Sequence, residues 1–159
     1  MLAASTDRGL LYLGLPHANG RGFQSFLGRF VLDAKIQSSY APNRKVVMQV
    51  CDYLRGHRRD FDLRLDLRGT SFQKSVYREL QRIKYGETRS YGEIARSIGN
   101  PGGARAVGAA NAANPLPLVI PCHRVIAAGK KLGGYAGGLP LKRRLLAMEC
   151  VELGEGRLL

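Results

Sequence analysis

Cys122 stands directly before His123 and Arg124, at the end of a stretch, Asn114 to Pro121, that contains three prolines. A cysteine is a nucleophile only as its thiolate, and a neighbouring imidazole or guanidinium favours that state by stabilising negative charge. Proline fixes φ and has no N–H, so this stretch is expected to be neither helix interior nor central strand. It reads as a rigid lead-in to the thiol. A buried structural cysteine beside an unrelated histidine would have the same local sequence, because cysteine is among the most buried residue types. Other segments have to decide between the two.

Bulk properties narrow the classes. At 159 residues and 45% apolar content, the chain can bury a core as one domain or two small ones. No apolar run approaches the ~20 residues of a membrane span. Met1 to Arg8 lacks the basic head and apolar core of a signal peptide. The expectation is a soluble, non-membrane protein: cytoplasmic, nucleoid-associated in a prokaryote or nuclear in a eukaryote. Cys51, Cys122 and Cys150 are too few for a disulfide framework, and His17, His57 and His123 show no zinc-ligand spacing. No metal is expected. The net charge of +13 points to a polyanion, most simply nucleic acid, with a general solubility bias as the alternative.

The elements that must position the thiol follow in chain order. Arg8 to Pro16 reads as a buried strand ended by proline, and Gly20 and Gly22 as a loop. Phe23, Phe26, Leu27 and Phe30 have the spacing of an amphipathic helix, so these aromatics are read as core. Asn43 is placed to cap a second helix carrying Val46, Val47, Val50, Tyr53 and Leu54, with Gly56 as its stop. Arg55 to Arg59 is a basic turn. Phe61, Leu63, Leu65 and Leu67 alternate with Asp62, Arg64, Asp66 and Arg68, which predicts a strand with one buried and one charged face. The composition changes at Gly69. Thr70 with Gln73, and Ser90 with Glu93, form capping boxes that open two helices. A turn at Gly99 to Gly103 leads to a third, from Ala104 to Asn114.

A helix, a short glycine turn and a helix make a helix-turn-helix pattern. The second helix carries few side chains larger than Asn: Arg105 and Val107 are the exceptions. A helix that reads bases in the major groove needs several long polar side chains. This one suits close backbone approach, either to a neighbouring helix or to a minor groove with Arg105 entering the base stack. Beyond Cys122, Gly129 to Gly138 is dense in glycine and holds Lys130, Lys131 and Tyr135; it is a surface loop or a ligand-facing one. A last helix begins near Pro140, with Leu141, Leu145, Leu146 and Met148 as its buried stripe. Glu149 projects close to that stripe. A carboxylate there needs a partner, and His123 is the candidate, which would make a Cys122–His123–Glu149 relay.

The segments Gly69-Thr70-Ser71-Phe72-Gln73, Ser90-Tyr91, Ala104-Arg105-Ala106-Val107-Gly108, Asn114-Pro115, Ile120-Pro121-Cys122-His123-Arg124-Val125, Tyr135-Ala136-Gly137-Gly138 and Glu149 together resemble the O6-alkylguanine-DNA alkyltransferase family. The resemblance covers about Asp66 to Glu149. It implies an α+β fold: a small N-terminal α/β domain of ribonuclease H-like layout over residues 1–68, then a mostly helical winged helix-turn-helix domain over residues 69–159 with the active-site cysteine. It implies repair of duplex DNA containing O6-alkylguanine by base flipping, in a single turnover, with no cofactor and no obligate protein partner, as a monomer. Cys122 would take the alkyl group. His123, through a water, would take the thiol proton, with Glu149 orienting that histidine. Asn114 would brace the site, and Tyr91 would donate to guanine N3 and lie where the nucleotide's phosphate turns. Arg105 would fill the vacated stack, with Ala104, Ala106, Gly108 and Ala109 lying along the groove.

The resemblance also assigns a pocket. Tyr135 would wall it, with Val125, Ala136 and Gly137 around the base. The carbonyls of Cys122 and Val125 would accept from the guanine amine, and the Ala136 N–H would meet O6. Ala136 stands where some members have Ser, and Ala112 where some have a basic residue. Three rivals are a non-catalytic lesion-flagging relative, disfavoured by Cys122; a thiol hydrolase, which leaves the charge unexplained; and a helix-turn-helix regulator, disfavoured by the small-residue helix.

Overall fold

The computed structural model describes residues 1–15 and 21–154. The expected strand stop at Pro16, the loop glycine Gly20 and His17 lie outside them. Among the described residues the chain forms six α-helices and two two-stranded sheets, a mixed α/β architecture. No helix there is long and apolar enough to cross a membrane. Two compact units result: Met1–Gly69 with Pro115–Pro117, and Thr70–Asn114 with the chain from Leu118 onward.

In the first unit, Leu2–Thr6 (β1) and Gly9–Gly14 (β2) pair antiparallel. β2 is the expected strand; β1 has no alternation to signal it. Gly9 is required at the turn, because its φ is +140° and a Cβ would lie 2.4 Å from the Arg64 carbonyl oxygen. Helix α1 spans Arg21–Phe30, so Gly22 is helical and not a loop residue. Phe26 and Leu27 are buried and the Tyr12 ring packs on Phe23 and Phe26, which makes these aromatics core. Helix α2, Arg44–Leu54, buries Val46, Val50 and Tyr53, whereas Leu54 is exposed. Asn43 holds the N-cap position without capping; its side chain accepts from the Ser5 hydroxyl at 2.8 Å instead.

The alternating segment after α2 is not a regular strand, although its first half keeps the expected faces, with Asp62 and Arg64 exposed and Phe61, Leu63 and Leu65 half-buried. It joins β2 through one bridge, Leu10 to Leu65. Asp66, expected to face solvent, is buried and takes bonds from Arg68 at 2.8 and 3.0 Å and from Thr6 at 3.0 Å. A buried carboxylate that finds several donors overrides the period-two pattern.

The second unit is built on helices α3 (Ser71–Gln81), α4 (Tyr91–Ser97) and α5 (Ala104–Ala112), which pack on one another through Val76, Leu80, Ile94, Ala95 and Val107. Each fully buried Val, Leu or Ile contributes roughly 1.5–3 kcal/mol. Both capping boxes form: Thr70 accepts from the Gln73 N–H at 3.2 Å, and Ser90 from the Glu93 N–H at 3.2 Å. Between α3 and α4 lies β3, Arg89–Ser90, which pairs in parallel with β4, Val125–Ile126. A two-residue strand leaves no sequence pattern. It nevertheless joins the entrance of α4 to the segment just after Cys122. Helix α6 spans Leu139–Met148 and buries Lys142, Leu145 and Leu146, with Leu141 and Met148 only half-buried.

The capping box at α3 gives a direct test of local stability. Thr70→Ala is expected to lower unfolding free energy by about 1 kcal/mol, since it removes one N-cap acceptor. Urea denaturation would report this as a lower midpoint at an unchanged slope; a midpoint equal to the parent's would show that the box adds nothing.

Candidate active site

Cys122 opens a 3₁₀ turn, Cys122–Arg124, and all three residues are buried. The Asn114 amide donates to the Ile120 carbonyl at 2.8 Å, which fixes the approach to the turn. Burial pushes the Cys122 thiol up from its ordinary value. Hydrogen bonds from the Asn114 side chain and the cysteine's own backbone, the charge of Lys142 and a bond from Tyr135 act in the opposite direction. Arg124 is absent from that group. The expectation that its guanidinium favours the thiolate is corrected: Arg124 grips Glu149 at 2.9–3.2 Å and donates to the Ile83 carbonyl at 2.7 Å. The cation that acts on the thiol is Lys142.

His123 and Glu149 meet as expected, Nε2 to Oε1 at 2.8 Å, and both are buried. Glu149 also accepts from the Gly86 N–H at 3.1 Å. Because a carboxylate only accepts, Nε2 carries the proton and Nδ1 is the basic nitrogen. Burial is the largest influence on His123 and holds it below the usual imidazole value; Glu149 pulls the other way and loses. The imidazole is therefore neutral, ready to take a proton.

Beside this network lies a cavity of about 570 Å³ lined by Tyr91, Ala104, Arg105, Gly108, Asn111, Ala112, Gly134, Tyr135 and Ala136. This volume is ample for a flat aromatic ligand. The Tyr91 hydroxyl donates to the Gly134 carbonyl at 3.2 Å, and burial with the nearby Cys122 raises its pKa, so it remains a donor. Gly133 makes room for that ring: its φ is +64° and a Cβ would sit 2.9 Å from Tyr91 Cε2. Val125 and Gly137 are not cavity-lining residues. A Cβ on Gly137 would lie 2.8 Å from the Tyr135 ring, so this glycine shapes the wall from behind. Ala106 and Ala109 point to solvent with Arg105 and Ala112, while Val107, Ala110 and Asn111 face inward. Of the small residues of α5, Ala106, Ala109 and Ala112 are thus on its outer face, while Ala110 packs inside.

Three contributors escaped the sequence reading. Lys142 is fully buried and donates to the carbonyls of Val125 at 2.6 Å and Gly134 at 3.2 Å, and also to that of Leu132. Desolvation lowers its pKa to about 8. Its position three and four residues before Leu145 and Leu146 was the available signal. Asn111 donates to the Cys122 carbonyl at 3.1 Å. Tyr77 is buried near Cys122, and desolvation with that neighbour raises its pKa.

A buried thiol, a neutral histidine held by a carboxylate, and a cavity walled partly by α5 define a site built for a thiol nucleophile. Comparison with known proteins gives the family. Residues 71–151 match the model described as 6-O-methylguanine DNA methyltransferase, DNA binding domain. A methylated-DNA–protein-cysteine methyltransferase of Mycolicibacterium paratuberculosis is 60% identical over 103 residues, covering 65% of this chain and 62% of that protein. The chain thus spans less than two thirds of that relative; a Mycobacterium tuberculosis protein of the same name is 50% identical, with 72% of this chain and 76% of the relative covered. The crystal structure of Mycobacterium tuberculosis OGT in complex with DNA superposes with a TM-score of 0.79 at 42% identity, covering 92% of this chain and 84% of that one. An O6-methylguanine-DNA methyltransferase from Pyrococcus kodakaraensis gives 0.68 at 27% identity, with 92% and 89% covered. The chain belongs to the 6-O-methylguanine DNA methyltransferase family.

The histidine makes stability pH-dependent. Its folded pKa is depressed, so the unfolded chain takes up a proton near 6.5 while the folded chain does not. More protons on the unfolded state mean stability that is present above that pH and lost as pH falls below it. His123→Gln cannot titrate but keeps a donor toward Glu149. The stability advantage of the parent over this variant, from denaturation at a series of pH values, is expected to shrink below pH 6.5. A constant difference would mean that folding leaves the histidine's affinity for protons unchanged.

Proposed function

We propose that this chain repairs DNA by moving an alkyl group from O6 of guanine in a duplex to Sγ of Cys122, once per molecule. The observation that carries this reading is the buried Cys122 set against the His123–Glu149 pair behind a cavity whose outer wall is α5. His123 Nδ1 takes the thiol proton through a water. Sγ then bonds to the alkyl carbon as the carbon–O6 bond breaks, and the electron pair leaves with the guanine. Tyr91, kept protonated, donates to guanine N3 and offsets that charge. Lys142 supports the thiolate as it forms, in the low-dielectric setting where charge acts most strongly. A thioether does not dissociate, so the protein is consumed.

The duplex is gripped through α5. Its solvent-facing surface of Ala106, Ala109 and Ala112 allows close approach to a minor groove, and exposed Arg105 at the cavity mouth enters the stack as the base leaves it. The helix-turn-helix of α4 and α5, with the Gly-rich segment as its wing, is the DNA-binding half of residues 69–159. Residues 1–68 form a smaller domain of ribonuclease H-like layout. Ala104 and Gly108 line the route of the base, and Ala136 N–H meets O6.

Incubation with duplex O6-methylguanine, followed by intact mass and peptide mapping, is expected to find one added methyl on Cys122. Cys122→Ala should abolish transfer and still bind DNA; a methyl found on any other residue would refute the assignment of the nucleophile. Arg105→Ala should slow repair of duplex DNA more than reaction with free O6-benzylguanine. Equal losses on the two substrates would show that Arg105 does not assist flipping.

A further inference from the structure

The carbonyls expected to read the guanine amine are already engaged. That of Cys122 accepts from the Val125 N–H and from Asn111 Nδ2, and that of Val125 accepts from Lys142. A carbonyl oxygen has two lone pairs, so the Cys122 oxygen is filled, while that of Val125 keeps one for an N–H of the amine. Asn111 supplies an acceptor for the other N–H. It is only 5% exposed, lies on the inward face of α5 and lines the cavity. The Cys122 carbonyl can only accept, so the amide must turn its nitrogen there, which fixes the opposite end as the oxygen. That atom, Oδ1, is buried and has no hydrogen-bond partner among the described residues. An unmet buried acceptor costs about 1–3 kcal/mol. Such a group calls for a reason, and a donor that arrives with the substrate is one.

We propose that Asn111 is a specificity-determining residue whose Oδ1 accepts from the exocyclic amine of the flipped guanine, while its Nδ2 stays on the Cys122 carbonyl. This rests on the alkylguanine reading above and deepens it. The chemistry of the base selects the group. In O6-alkylguanine, N1 carries no proton and N3 and N7 only accept, so the amine is the sole N–H donor of the ring. Both the thiol and Oδ1 are shielded, the cysteine being 4% exposed. Asn111 joins the cavity wall to the peptide of the nucleophile, so a base that opens the way to Sγ comes beside this amide. The same side chain then couples recognition to the position of the thiol.

The test compares two duplexes, one with O6-methylguanine and one with O6-methylhypoxanthine, which has the same methyl ether and no amine. Methyl transfer to Cys122 is timed by intact mass. The parent is expected to favour the guanine substrate. Asn111→Leu should lose roughly tenfold on O6-methylguanine, the worth of about one hydrogen bond, and change far less on O6-methylhypoxanthine. Equal slowing on both would overturn the proposal and leave Asn111 as a brace for the Cys122 carbonyl; unchanged rates on both would overturn it as well. Should leucine prevent folding, Asn111→Ala gives the same comparison without added bulk. A folded parent that methylates Cys122 on neither duplex would bring down the functional reading itself, a result distinct from equal slowing in the variant.

Discussion

A buried carboxylate organises the second unit. Glu149 caps the end of α6 at 2% exposure, and an ionised group so placed is tolerable only if its oxygens are filled. They are filled by Arg124, His123 and the Gly86 N–H. These donors come from the cysteine turn and from the turn after α3, so one side chain draws three segments together. Arg124 adds its bond to the Ile83 carbonyl and lies 5.7 Å from the Tyr85 ring centre, while the Tyr85 hydroxyl donates to the Met148 carbonyl. Removing one partner from a buried pair of this kind costs about 3–5 kcal/mol, because the remaining charge is left without compensation. The arrangement of Cys122 is thus tied to the integrity of the core.

That commitment redistributes the charges. Arg124 is adjacent to the thiol in sequence, yet its guanidinium is held by Glu149. Lys142 is 20 residues away in sequence and acts on the thiol. Among the described residues it is held by carbonyl dipoles alone, which stabilise an ammonium less than a carboxylate would, and burial brings its pKa to about 8. The two buried cations therefore divide the work, one neutralising Glu149 and the other left for the thiolate.

The sequence exposed what is local and hid what depends on distant partners. Both capping boxes, the Phe23–Phe30 helix and the approach of Glu149 to the α6 stripe follow from spacing along one helix, and all are present. Asn43, Asp66 and Arg124 went astray because each found a better partner elsewhere: the Ser5 hydroxyl, the Arg68 guanidinium and the Glu149 carboxylate. The β3–β4 pair is too short for any periodicity. Asn111 sat in a run of Ala and Gly, where attention falls on the outward face, although the one polar residue turned inward is the informative one.

The burial of the thiol has its own logic. Burial raises the Cys122 thiol, so thiolate is scarce before a substrate arrives, although Asn114, Lys142 and Tyr135 stand ready to stabilise it. Oxidation of cysteine follows thiolate character and exposure. A nucleophile kept protonated and covered is shielded from such loss in a way that one ionised at rest is not. The glycines serve the same end. Gly133 and Gly137 let the Tyr91 and Tyr135 rings lie close against the backbone, so the walls of the cavity are large aromatic planes held by small residues.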